Sequence, residues 1–281
     1  MTTQDLPQLP APTVVEALDF ETILASHRAD LIARYPAAAE VIGLESEPLA
    51  KLLEAHALRE LIYRQRVNDA ARAYLLACAT GSDLDHKGAL YGVPRLPGET
   101  DERYRVRIQL RIRALAGNGT REHYELVAMT ADQNVYDATA VQPSPGRVQV
   151  LLWLHDLAQA AATQATVLAA LNAEDARPLG VPVSVALARP RAIHITATIT
   201  REAGAPVNLL AQLQATLPKA MATYARLGRG VPRSWITTQL HVAGVAAVRY
   251  PNADTPAELT TLAADEYPTL GTLQLIDGGL V

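Results

Sequence analysis

Cysteine and phenylalanine each occur once in the 281 residues, and aromatic side chains make up only 5% of the chain. One thiol, Cys78, builds neither a disulfide framework nor a zinc site. Its neighbours Leu75, Leu76 and Ala79 make it read as a small core residue. Few aromatics and abundant alanine and leucine favour helices that pack through small-residue faces. No apolar run approaches the ~20 residues needed to span a bilayer, so no membrane partner is expected. Met1 is followed by polar residues in place of a charged-then-apolar signal, so the chain is expected to be made and assembled in a cytoplasm.

The signatures of catalysis and cofactor binding are missing as well. There is no Gly-x-Ser-x-Gly elbow and no phosphate loop. Gly117 and Gly119 follow a helical stretch and are too short a pattern for a dinucleotide fingerprint. The seven histidines (His27, His56, His86, His123, His155, His194 and His241) show no metal-ligand spacing along a helix. Trp153 and Trp235 stand singly, as packing residues do. The sequence therefore points to no catalytic residue, no metal and no cofactor.

What is present is a chain that can bury a core, with 49% apolar and 19% charged residues. Its net charge of −4 is uneven. Residues 1–50 carry two basic and eight acidic groups, whereas residues 51–120 carry twelve basic and eight acidic. The basic middle has no aromatic or Gly-rich interleaving, so it reads as a solvated or partner-facing surface and not as a nucleic-acid site.

The proline-rich start, "TTQDLPQLPAPTVV", predicts an extended arm. One or two short helices follow, ending at Tyr35-Pro36. Apolar residues then recur at helical spacing from Leu49 to Cys78. With Ser46 as N-cap and Pro48 in the first turn, Ser46–Thr80 predicts one helix of roughly 50 Å. A helix of that length packs in a bundle, within the chain or with a partner. Leu49, Leu53, Ala57, Leu61 and Tyr74 are the residues expected to carry that bundle.

The stretch "GSDLDHKGALYGVPRLPGETDERYRVR" gathers acids, a histidine and arginines in a way that suggests an active site. Most of the acids have a structural use instead. Ser82 and Asp85 form a variant capping box, and Gly92 ends that short helix. Thr100 caps the next helix, with Asp101 and Glu102 in its first turn. Nothing in the sequence suggests that these acids are desolvated, as acid–base chemistry would require. Along the second helix Arg103, Arg107 and Arg111 recur every four residues, with Val106, Leu110 and Leu115 facing inward. The three arginines are expected to make polar contacts, within the fold or to a partner.

After Thr120, which caps one more helix, the texture becomes β-rich. "NVYDATAV" and "RVQVLLWLH" predict a hairpin about "QPSPG", then a helix and the strand "VPVSVALA", giving a β-β-α-β unit. A second unit opens with the alternating "RAIHITATIT". It continues through a helix that Pro218 should kink or split, a short helix, the strand "GVAAVRY", a polar loop and a last strand "TLQLI". The predicted class is α+β: an N-terminal extended arm and long-helix region, then two small α/β units. The divisions fall at 1–45 (arm and short helices), 46–131 (helical), 132–188 (β-β-α-β) and 189–281 (C-terminal α/β).

The order of motifs resembles the baseplate J-like family, inner wedge proteins of contractile-tailed phages and related tail-like particles. The positions are Gly81, Leu84 and Asp85; Tyr91 to Val93; Arg95, Gly98 and Glu99; Arg103 and Arg107; Gly117 and Gly119; and Val141, Pro143, Pro145 and Gly146. The start, "LPQLPAPTVVEALDFETILASHRADL", also resembles that of phage-type members, whereas Pro218 departs from the pattern. The resemblance implies a structural, non-enzymatic baseplate protein with two copies per wedge. It further implies a tail-protein-I-like partner, a lysozyme-like sheath-initiator protein beside it, and six wedges closing around a central hub or spike. On that footing the long helix enters the intersubunit bundle and the last α/β unit makes ring contacts. Two other readings stand beside this one: an α/β ligand-binding enzyme with a pocket near Asp137 or Gly180, and a nucleic-acid-binding protein using the helix Arg103–Arg113.

Overall fold

The computed structural model describes residues 14–44, 46–115, 117, 119–173 and 176–281, so most of the proline-rich arm lies outside the described residues. The protein is α+β, and its contacts divide it into two compact units, Met1–Ile108 and Gln109–Val281.

The first unit is helical. Helix α1 (Phe20–Arg34) starts at Asp19, whose carboxylate accepts from the Thr22 N–H at 2.8 Å and the Thr22 hydroxyl at 2.6 Å. Pro36–Glu40 then forms a 3-10 turn. Helix α2 (Pro48–Tyr74) is 27 residues long, about 40 Å, and so shorter than the span expected from sequence. Its N-cap is Glu47 and not Ser46; the Glu47 side chain accepts from Leu49 N–H at 3.4 Å. It stops at Tyr74 because Leu75 is extended and Arg105 claims the carbonyls beyond it, bonding Leu76 O at 2.9 Å and Ala79 O at 2.8 Å. Ala79 is the buried residue of that turn; Cys78, expected in the core, is exposed.

Helix α3 (Gly81–Leu90) is preceded by Thr80, which makes no side-chain cap bond, so the capping box expected at Ser82 does not form. Its first N–H, at Gly81, is held instead by the Asp101 carboxylate at 3.0 Å. The other end behaves as expected. Gly92 adopts φ +68°, Val93 N–H bonds Gly88 O, and Gly92 N–H bonds Ala89 O, the paired bonds of a Schellman ending. Helix α4 (Asp101–Ala114) begins with Thr100, whose hydroxyl accepts from Arg103 N–H at 3.4 Å. Tyr104, Ile108, Leu110 and Ala114 are its buried apolar residues, whereas Leu115, expected inside, is exposed.

In the second unit, helix α5 (Arg121–Ala131) is capped by Thr120, as expected. The sequence division at Ala131 groups α5 with the helices before it, but here it packs against strand β1 (Val135–Val141) and helix α6 (Ala160–Leu171). β1 pairs antiparallel with β2 (Val148–Leu154), and β2 pairs parallel with β3 (Val183–Leu187) after the α6 crossover. This is the expected β-β-α-β unit. Its register slips between Val135, opposite Leu154, and Asp137, opposite Trp153, a bulge that leaves Tyr136 without a partner in the ladder.

The chain continues into β4 (Arg189–Arg201), whose Ile193, Ile195, Ala197 and Ile199 are buried on one face. Helix α7 (Leu209–Tyr224) runs through Pro218 without being split and lays Leu209, Leu213, Leu217 and Met221 on that face. After β5 (Val231–Pro232) come helix α8 (Arg233–Leu240), β6 (Val245–Arg249) and β7 (Leu259–Thr260), which pairs with β5. The last strand, β8 (Glu266–Leu280), is 15 residues long, far more than the "TLQLI" expected. It pairs parallel with β4, giving the order β6-β4-β8. The two α/β units meet in an aromatic row, with Tyr136 edge-on to Trp153 at 4.3 Å and Trp153 stacked on Tyr267 at 4.2 Å.

Candidate functional site

Helix α2 has apolar residues on two sides, and the described residues of the chain pack over one of them. Leu53, Ala57 and Leu61 pack against Phe20, Ile23 and Leu24 of α1. The same side holds the chain entering α1: the buried Asn68 amide donates to Glu16 O at 2.9 Å and accepts from Glu16 N–H at 3.0 Å. Arg64 bridges Glu60 at 2.7 Å and Glu16 at 3.2 Å. Leu53, Ala57 and Leu61, expected to enter an intersubunit bundle, pack against α1 of the same chain, while Leu49 is half-buried.

The other side faces solvent. Leu52, Tyr63 and Tyr74 are 53%, 68% and 75% exposed, and Val67 is also exposed. Leu52, Tyr63 and Tyr74 are eleven residues apart, three helical turns within about 20°, so they form a nearly straight row. Tyr74 was expected from the sequence; Leu52, Tyr63 and Val67 were not. The Lys87 ammonium sits 3.6 Å from the centre of the Tyr74 ring and leaves the rest of that side chain open.

A second feature lies where α3, the turn after it and α4 meet. The Glu99 and Arg107 side chains are 0% and 1% exposed and approach to 2.7 Å. The other Glu99 oxygen meets Arg103 at 2.6 Å, and Leu96 N–H donates to Glu99 at 3.0 Å. Arg107 also donates to Pro94 O at 3.3 Å. Burial pulls the Arg107 guanidinium below its ordinary value, and the Glu99 charge opposes that shift. Beside this pair, Arg95 bonds Asp85 at 2.6 Å and Asp101 at 2.7 Å, and its guanidinium lies 4.6 Å over the Tyr104 ring. The Gly81 N–H bond, then the Arg95 charge, hold the Asp101 carboxyl below the usual range. The Tyr104 hydroxyl donates to Val93 O at 2.6 Å.

These contacts use Arg95, Arg103 and Arg107 to tie a turn to two helices, so they do not form a free basic stripe of the kind a nucleic acid would need. Arg111 lies one turn further on, half-buried. Glu99, read from sequence as one acid among several near polar helix starts, is a desolvated carboxylate; its signal was its spacing of four and eight residues before Arg103 and Arg107. An open groove lined by Asp85, Ala89, Gly92, Val93, Pro94, Arg95 and Tyr104 lies over this cluster.

In the second unit, Asp137 and Glu125 are carboxylates that burial pushes above the usual range. Asp137 accepts from Leu227 N–H at 3.1 Å and Ala138 N–H at 3.0 Å, and burial raises its pKa. Glu125 accepts from the Thr139 hydroxyl at 3.1 Å and Ala140 N–H at 3.3 Å. Its pKa is pushed up to about 7 by burial, with the Asp137 charge acting in the same direction. Both carboxylates are engaged by groups of the fold, so the pocket expected near Asp137 under the enzyme reading has a structural carboxylate at that position. No group of three or more potential metal ligands occurs among the described residues.

Residues 45–98, which span α2, α3 and the turn to Gly98, match the Baseplate J-like N-terminal domain. A curated relative, baseplate protein J of Escherichia phage P2, is 42% identical over 270 residues, covering 87% of this chain and 88% of that protein. The chain belongs to the baseplate J-like family, the structural proteins of phage tail baseplates.

Proposed function

We propose that the chain is a wedge subunit of the baseplate of a contractile phage tail or tail-like particle. In this reading the exposed row of α2, Leu52, Tyr63, Val67 and Tyr74, enters an intersubunit helical bundle with a second copy and a tail-protein-I-like partner. The sheath-initiator protein and the hub are reached from the assembled wedge, and six wedges close the ring. The observation that carries the reading is the uncovered apolar row on a 27-residue helix in a chain of the baseplate J-like family. Leu53, Ala57 and Leu61 support the bundle from behind by fixing α2 on α1. The salt-bridged arginines hold the turn after α3 and so keep the shape of the unit from which α2 projects.

The test is co-expression with the product of the neighbouring tail gene, followed by native mass measurement. A complex of two copies of this chain with one partner is expected. A chain that stays monomeric beside its neighbour overturns the reading.

A further inference from the structure

Among the described residues, the sheet of β6, β4 and β8 ends on β8, which has a strand on one side only. The first half of this edge is guarded. Pro268 lacks an N–H, and the ladder slips between Ile193 and Ile195, where Thr272 N–H donates to the His194 ring nitrogen at 3.1 Å. From Thr272 to Ile276 there is neither proline nor charge. Thr272, Gln274 and Ile276 are exposed, while Leu273 and Leu275 turn toward the core. The next charge, Asp277, is held by Arg201 at 2.7 Å and by Gly279 N–H at 3.0 Å. Toward the start of β4 the opposite side of the sheet is covered by the loop before β7, through Thr196 N–H to Thr255 O at 3.1 Å. An uncharged edge that continues a hydrophobic layer is a template for another strand.

We propose that this edge pairs with itself: β8 of a second copy adds antiparallel, with Gln274 on the two-fold axis, and joins two three-stranded sheets into one. The proposal rests on the wedge reading for the presence of more than one copy and names where two copies meet. Charge and pattern select this occupant. About Gln274, Leu273 meets Leu275 of the other copy, Thr272 meets Ile276, and Asp277 meets Gly271, so no like charges face each other and the apolar row runs on. A charged peptide finds no counter-charge along the run. An isologous contact also needs only this one patch.

Cysteine cross-linking of the full chain in a Cys78→Ala background tests the register. Residues opposite each other across an antiparallel pair lie within disulfide reach. Gln274→Cys is expected to form a disulfide dimer. Thr272→Cys alone should cross-link about tenfold less, and mixing it with Ile276→Cys should restore the bond. Gln274→Lys places two ammonium groups at the axis and should weaken self-association about tenfold in sedimentation, with an unchanged circular dichroism spectrum. A chain that is monomeric at its highest soluble concentration and fails to cross-link at Gln274→Cys overturns the proposal. So does preferential cross-linking of Gln274→Cys to Ala247→Cys on β6, which signals a head-to-tail contact. These readouts use the chain alone, so they are distinct from failure to bind the neighbouring tail protein.

Discussion

A methyl group on Gly88 would lie 1.7 Å from the Tyr104 hydroxyl oxygen and 2.7 Å from Val93 O, the carbonyl that hydroxyl bonds. Gly88 is therefore the point at which α3 lets α4 approach, and its own φ is ordinary. Gly88→Ala is expected to destabilise the first unit by about 2–4 kcal/mol, through overpacking and the loss of the Tyr104 bond. Tyr104→Phe in the same chain should recover part of that loss. Denaturant melts of the three variants check both statements; an additive double variant would contradict the contact.

Breaking the buried ion pair from one side leaves an unpaired charge. Glu99→Ala strands Arg107 and Arg103 and is expected to cost about 3–5 kcal/mol. Removing Arg107 as well, as in Glu99→Ala with Arg107→Met, should cost markedly less than the two single changes added together. A double-mutant cycle read by chemical denaturation measures the coupling.

Glu125 gives the protein a pH dependence of definite sign. Its pKa is about 7 in the folded state against 4.5 for an unperturbed glutamate, so the folded state holds the extra proton between these values. Stability from this residue is greatest below the unfolded value, falls as pH rises toward 7, and is level above it. Glu125→Gln is expected to be more stable than the natural chain at pH 8 by about 2 kcal/mol, allowing for the part exposure of the residue. The gap should close as pH falls to about 4.5. Thermal melts across this range are the measurement, and a constant offset would contradict the assignment.

The two sides of α2 should separate stability from assembly. Tyr63→Glu, on the exposed row, is expected to leave the melting temperature nearly unchanged, within the ±0.5 kcal/mol usual for a surface site. It should abolish or strongly weaken binding to the neighbouring tail protein. Ala57→Leu, on the side against Ile23 and Leu24, should instead cost about 1–3 kcal/mol by overpacking. Co-purification and melting curves on the same preparations distinguish them.

Much of this architecture was legible because it rests on local periodicity and backbone chemistry. The alternation Ile193, Ile195, Ala197, Ile199 specified β4, and Pro145-Gly146 marked the β1–β2 turn. Gly92 marked the end of α3, and Thr100 and Thr120 the starts of α4 and α5. The misplaced features depend on distant residues. The end of α2 is set by Arg105, 29 residues beyond the Leu76 carbonyl it binds, and the start of α3 by Asp101, 20 residues beyond Gly81. Cys78 sits in an apolar run yet is exposed because that turn points Ala79 inward.

The candidate interface divides in the same way. Helical spacing alone made α2 a long helix with recurring apolar positions, because every fourth residue returns to nearly the same side. Which side stays open was decided when α1 folded over Leu53, Ala57 and Leu61, leaving Leu52, Tyr63, Val67 and Tyr74 outside. Likewise the sequence made Arg103 and Arg107 a row of charges, but only the turn that brings Glu99 beneath them removed water from the pair and turned them inward. Periodicity determined the elements and their amphipathic faces; tertiary packing decided which faces and charges were left for other molecules, because burial is a property of neighbours far away in the chain.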